Sequence, residues 1–106
     1  MIIKYADKKT ERKCNDEKYA RKKFPPSTCK ELQKLMVYLS TYDTLDYFRK
    51  LTILRKYRYH ELQGKEKGII SLYIDYQYRM ELKLKVEKID GQDVILILEV
   101  SNHYGD

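Results

Sequence analysis

Apolar side chains are sparse through the first thirty residues, fall at helical spacing from residue 32, and alternate with polar ones from residue 54 onward. The opening "MIIKYA" is short, apolar and followed by Asp7, which predicts a first strand and then a helix N-cap. Residues 8–23 are strongly charged, with Tyr19 and Ala20 as the main apolar pair, so a helix there lies on the surface and buries only a thin stripe. Pro25-Pro26 stops that helix, and Ser27 stands where it can cap the next. Leu32, Leu35, Met36 and Leu39 then recur at i, i+3, i+4 and i+7, with Tyr42 continuing the face. Asp43 and Asp46 supply an N-cap and an acidic first turn for a short third helix, with Leu45, Phe48 and Leu51 as its apolar side.

The period then drops to two. "YRYHEL" sets Arg58, His60 and Leu62 against Tyr57, Tyr59 and Glu61, and "GKEKG" from Gly64 to Gly68 reads as a charged turn. "IISLYID" predicts a third strand. "YRMELKLKV" predicts a fourth, with Tyr78, Met80, Leu82, Leu84 and Val86 on one face and Arg79, Glu81, Lys83 and Lys85 on the other. Asp90-Gly91 marks a hairpin turn within a longer loop, and "VILILEV" is apolar on both faces, as a central strand should be. Helices grouped before an antiparallel run predict an α+β fold: a small antiparallel sheet with two to three N-terminal helices packed on one face. The first strand should pair beside the last, and the sheet face away from the helices should carry Arg79, Lys83 and Lys85.

A chain of 106 residues is long enough for one core without staples, so one domain over residues 1–106 is expected. Cys14 and Cys29 are far apart and lack a second Cys or a His at metal-ligand spacing, so neither a metal nor another cofactor is expected. Two apolar residues before the charge begins fall far short of a signal-peptide core, and no apolar run is long enough to cross a bilayer. These features predict a reduced, cytoplasmic, soluble protein without membrane partners. The net charge of +6 is unevenly spread. Residues 1–30 carry ten Lys or Arg against four acids, residues 31–60 six against three, and residues 61–106 six against nine. A basic front half suits a polyanion such as RNA, although a lysine-rich solvated surface gives the same count.

Candidate chemistry gathers in the back half. Histidine moves protons near neutral pH, and the two in this chain are His60, just before the basic turn with Lys65 and Lys67, and His103, just after the last strand. In isolation, each also reads as a solvated strand or terminal residue. Arg79 starts the polar face of the fourth strand, and Arg58 lies two residues from His60. Guanidinium groups bind phosphate through paired hydrogen bonds and stabilise charge that grows on it. Tyr57, Tyr59, Tyr73, Tyr76, Tyr78 and Tyr104 offer rings for base stacking, or ordinary strand packing.

The run "YHELQGKEKGIISLYIDYQYRMEL", the "VILILEV" strand and a histidine near the end resemble HigB-type toxins of the RelE/ParE superfamily. The resemblance covers most of the chain. It is strongest at His60 to Gly64, at Ser71 to Arg79, and at the last strand with His103. It implies a RelE-like fold and the toxin of a type II toxin–antitoxin pair, a ribosome-dependent endoribonuclease that cuts mRNA without a metal, with the 2′-hydroxyl as nucleophile. Partners so implied are a HigA-like helix-turn-helix antitoxin, the ribosome and mRNA, with operator DNA reached only through the antitoxin. Carried onto this sequence, the catalytic candidates are His60, Arg79, His103 and Tyr104, and the RNA-binding candidates Arg58, Lys65, Lys67, Lys83 and Lys85. Two positions depart from the pattern. Gln63 stands where a lysine is common, so Lys65 or Lys67 would supply that charge. The terminal Asp-Tyr-His reads Ser101-Asn102-His103, with the tyrosine displaced to Tyr104. The alternatives are a ParE-like toxin that binds DNA gyrase, or an RNA-binding module that kept the fold and lost activity.

Overall fold

The computed structural model describes residues 1–50, 55–75 and 80–102, with Asn102 described by its backbone. The first strand, β1 (Ile2–Tyr5), leads to Asp7, whose carboxylate accepts the Thr10 N–H at 2.8 Å and caps the first helix as expected. The charged segment is two helices, not one: α1 (Lys8–Asn15) and α2 (Glu17–Lys23). Asp16 divides them. Its backbone is extended, its N–H closes α1 on Arg12 O, and its side chain accepts the Tyr19 N–H at 3.1 Å to open α2. The break turns Ala20 inward with Cys14, while Arg12 stacks 4.0 Å from the Tyr19 ring.

Helix α3 (Pro26–Thr41) begins with a proline at its first position, where no intrahelical N–H bond is lost. Ser27 does not cap it. It lies inside the first turn and donates to Asp75 Oδ2 at 2.7 Å, beside Thr28 at 3.1 Å, so a carboxylate from the sheet meets the positive end of the helix. Leu32, Leu35, Met36 and Leu39 are buried as predicted. In α4 (Leu45–Lys50), the cap expected of Asp43 comes instead from Thr44 Oγ1, which accepts the Tyr47 N–H, and from Asp93, which accepts the Leu45 N–H at 2.8 Å. Leu45 and Phe48 are buried as expected, while Leu51 lies outside the described residues.

The strands β2 (His60–Glu61), β3 (Ile70–Asp75), β4 (Met80–Ile89) and β5 (Gln92–Asn102) join β1 in one sheet of order β1-β5-β4-β3-β2. β1 pairs beside β5, as expected, but parallel to it, while the other three pairs are antiparallel. The helices and the strands β2–β4 together form the long connection that a parallel pair requires. β5 is interior, flanked by β1 and β4, although β4 holds the centre. The predicted second strand shrinks to two residues because Arg58 has φ 44°, which takes it out of extended backbone. The hairpin after β4 is a tight two-residue turn rather than part of a longer loop. Asp90 and Gly91 both have positive φ, and Ile89 pairs directly with Gln92.

Helix-side residues of the sheet, including Ile70, Leu72, Leu82, Leu84, Ile95, Ile97 and Val100, form one core with the helices. Two bulges adjust the alternation. One, between Tyr73 and Asp75, turns Asp75 toward α3, and the other leaves Leu98 unpaired so that Val100 returns to the core. No described helix is long and apolar enough to cross a membrane.

Candidate active site

Register and alternation assign the sheet face turned away from the helices. Across it run His60 on β2, Ser71 and Tyr73 on β3, Glu81, Lys83 and Lys85 on β4, and Glu99 and Ser101 on β5. His60 is opposite Ser71, Ser71 opposite Lys83, and Tyr73 opposite Glu81. Two of the predicted basic residues, Lys83 and Lys85, therefore do share a face with His60.

His60 carries the most defined geometry. Its Nδ1 lies 2.8 Å from the Arg58 carbonyl oxygen. A carbonyl only accepts, so Nδ1 carries the hydrogen, and the neutral ring keeps its lone pair on Nε2. The ring also packs against Tyr73, with centroids 5.6 Å apart and planes tilted by 57°. His60 is thus held on two sides, with Nε2 as the atom that can take or give a proton.

The turn that presents the Arg58 carbonyl is tied to the core. A left-handed backbone costs a non-glycine residue about 1–2 kcal/mol, so its neighbours must hold Arg58 there. Tyr57 is fully buried, its carbonyl accepts the Tyr73 N–H at 2.6 Å, and its hydroxyl donates to Glu31 Oε2 at 3.3 Å. Burial and the nearby Glu31 push the Tyr57 phenol above its ordinary range. Burial works against ionisation of Glu31, yet the hydrogen bond and ion pair from Lys56 at 2.8 Å bring it below the usual carboxylate value. On the other side of Arg58, the Tyr59 hydroxyl is buried, and the Arg49 guanidinium sits 5.1 Å from that ring.

Two acids alter the expected electrostatics of this face. Glu81 belongs to the polar side of the fourth strand, yet it is only 4% exposed and accepts a hydrogen bond of 2.6 Å from Ser71 Oγ, itself fully buried. Lys83 lies between Glu66 Oε1 at 3.0 Å and Glu99 Oε1 at 3.4 Å; the hydrogen bond to Glu66 raises its pKa above the ordinary lysine value. Lys83 is therefore a neutralised cation, whereas Lys65, on the 3-10 turn at Gly64–Glu66, Lys67 just after it, and Lys85 are exposed.

Arg79, His103 and Tyr104 lie outside the described residues, as do Tyr76 and Tyr78. The described parts of β4 and β5 reach Met80 and Asn102, which pair with each other. Alternation gave no sign of the Ser71–Glu81 bond or of the Glu31–Tyr57 anchor, because each joins segments whose approach only the fold decides. Among the described residues, no three His, Cys, Asp or Glu side chains gather closely enough to hold a metal ion. A groove of about 290 Å³ lined by Arg21, Phe24, Cys29 and Lys30 lies on the helical layer, on the other side of the sheet from His60.

The order of elements and the five-stranded sheet backed by helices define the chain as an α+β protein with the RelE-like toxin fold. Among solved structures, it is similar to YafQ from E. coli strain BL21(DE3), at TM-score 0.62 and 22% identity over 97% of each chain. It is also similar to a YoeB/ParE toxin from Agrobacterium tumefaciens, at TM-score 0.61 and 14% identity over 98% of this chain and 100% of that one. A third is YafQ within the E. coli DinJ–YafQ toxin–antitoxin complex, at TM-score 0.60 and 22% identity over 97% of this chain and 96% of that one. No family model and no curated protein matches the sequence.

Proposed function

We propose that this chain is the toxin of a type II toxin–antitoxin pair and acts as a ribosome-dependent mRNA endonuclease. The observation that carries the reading is the likeness to YafQ and YoeB/ParE toxins over nearly the whole of both chains, supported by a histidine held with one nitrogen as the available proton acceptor. The RNA 2′-hydroxyl attacks the scissile phosphate as His60 Nε2, or His103, accepts its proton. Arg79, aided by Arg58, stabilises the added negative charge, and the other histidine or Tyr104 serves the 5′-oxygen leaving group. Exposed Lys65, Lys67 and Lys85 contact RNA phosphates, and Lys83 contributes less because Glu66 and Glu99 already pair with it. The YafQ chain crystallised with DinJ supports an antitoxin partner, here a HigA-like helix-turn-helix protein that alone carries the pair to operator DNA.

Induction of the chain in growing bacteria, with mRNA 5′ ends mapped with and without a translation inhibitor, tests this reading. Translation-linked cuts are expected, and His60→Ala and His103→Ala, made separately, should each lower cutting by roughly 10²-fold or more. Full cutting by both variants would refute the mechanism. The likeness to a YoeB/ParE toxin makes ParE-like gyrase binding the rival reading, which predicts intact mRNA and altered DNA supercoiling.

A further inference from the structure

We infer that Arg58 is a positioning residue that acts through its backbone: its left-handed turn aims a carbonyl at His60 Nδ1 and thereby fixes Nε2 as the working nitrogen. The inference deepens the endonuclease reading and rests on it for the consequence, though not for the geometry.

A histidine bonded only to water exchanges its hydrogen between two nitrogens, and a base that spends part of its time in the wrong tautomer loses rate in proportion. Here the Arg58 carbonyl lies 2.8 Å from Nδ1, two residues back along the chain. Arg58 has φ 44°, a conformation that a side chain with a Cβ disfavours, so the contact is no default of an extended strand. The turn is closed by the Arg58 N–H on Arg55 O at 3.4 Å and anchored through its neighbour. Tyr57, immediately before it, is 1% exposed and joined by hydrogen bonds to Tyr73 N and Glu31 Oε2, and Glu31 is in turn paired with Lys56 at 2.8 Å. Tyr73, whose N–H donates to the Tyr57 carbonyl, also packs its ring on His60. Core, turn and imidazole form one connected unit in which α3 fixes the orientation of a residue on the opposite side of the sheet.

The full-length chain as wild type, Arg58→Gly and Arg58→Val separates backbone from side chain. Both variants lose the guanidinium and whatever charge it supplies, but glycine accepts a positive φ and a β-branched residue resists it. Long-range proton–nitrogen NMR of the neutral imidazole reports which nitrogen bears the hydrogen. A single Nδ1–H form is expected in wild type and Arg58→Gly, and a mixture in Arg58→Val. Translation-linked cutting by Arg58→Val should fall about tenfold below that of Arg58→Gly, because a β-branched residue at positive φ adds strain beyond what arginine already bears. Arg58→Asn, which tolerates positive φ, should follow glycine. If valine prevents folding, Arg58→Thr, also β-branched, makes the same comparison.

Equal tautomer populations in the glycine and valine (or threonine) variants, or an Nε2–H form in wild type, would overturn the inference. So would equal cutting by glycine and valine variants of a chain that does cut. A tautomer difference in a chain that cuts no mRNA would uphold the positioning device and sink the endonuclease reading alone.

Discussion

Asp93 illustrates how much a single residue holds together. It is 4% exposed, accepts the Leu45 N–H at 2.8 Å and pairs with Lys88 Nζ at 3.0 Å, so it fastens β5 to the first turn of α4. The Leu45 hydrogen bond, and then Lys88, hold its carboxyl below the ordinary value of 3.8. A depressed folded pKa contributes stability that is fully present above the unfolded value and is lost as pH falls through the folded one. Unfolding free energies from urea titrations should therefore be flat near neutral pH and decline below about pH 4, with Asp93→Ala lower by about 1.5–3 kcal/mol at pH 7 and less acid-sensitive. The two thiols make an opposite case. Burial pushes the Cys14 thiol up to about 12 and raises that of Cys29 as well. Neither should react with iodoacetamide at neutral pH until the chain unfolds, as mass spectrometry with and without urea can check. Residue identity was plain in the sequence at each of these positions. Burial was not: Glu81 reads there as part of a polar strand face and nothing marks Asp93 as buried, and only their partners across the fold reveal it.

At the scale of elements, local chemistry decides starts and stops. Asp16 closes one helix and opens another, so Asp16→Ala should lower stability by about 1 kcal/mol and reduce helical circular dichroism. Gly91 has φ 81° in a two-residue turn, and Gly91→Ala should cost about 1–2 kcal/mol by chemical denaturation, whereas Asp90→Asn should be near neutral. The long amphipathic helix and the alternating fourth strand were legible because their periods are set by residues three, four or two apart. The break at Asp16 was not, since a charged run without apolar stripes looks the same as one helix or two. Nor was the loss of "YRYHEL" as a strand. Its alternation is real, with Tyr57 fully buried and Arg58 exposed, but the anchor on α3 draws the backbone into a left-handed turn before pairing begins at His60.

In the whole molecule, the helices occupy one side of the sheet, and His60, Lys83 and Lys85 the other. Leu35, fully buried on α3, stands for the shared core: Leu35→Ala should lose about 2–5 kcal/mol, with an unchanged denaturant slope if unfolding stays two-state. Loss on that scale is a large part of the roughly 5–15 kcal/mol a domain commands, so any activity lost by the variant would be lost by unfolding rather than by chemistry. The basic first thirty residues lie mostly on α1 and α2, with Lys18, Arg21, Lys22 and Lys23 exposed on the helical side. The His60 face instead mixes one exposed lysine, Lys85, with a buried glutamate and a lysine already paired twice.

The sequence by itself determined the α+β class, the burial of the third helix, the pairing of the first strand beside the last and the outer face that carries Lys83 and Lys85, while strand register added His60 to that face. The features it determined follow from periodicity and chain order, which are local or nearly so. Tertiary structure alone decided that β1 runs parallel to β5, that Glu81 is buried against Ser71, that Lys83 is neutralised, and that an anchor from Glu31 through Tyr57 orients His60. Each depends on contacts between segments ten to a hundred residues apart, and a hydrogen bond or ion pair exists only where the fold has already brought its two partners within about 3 Å.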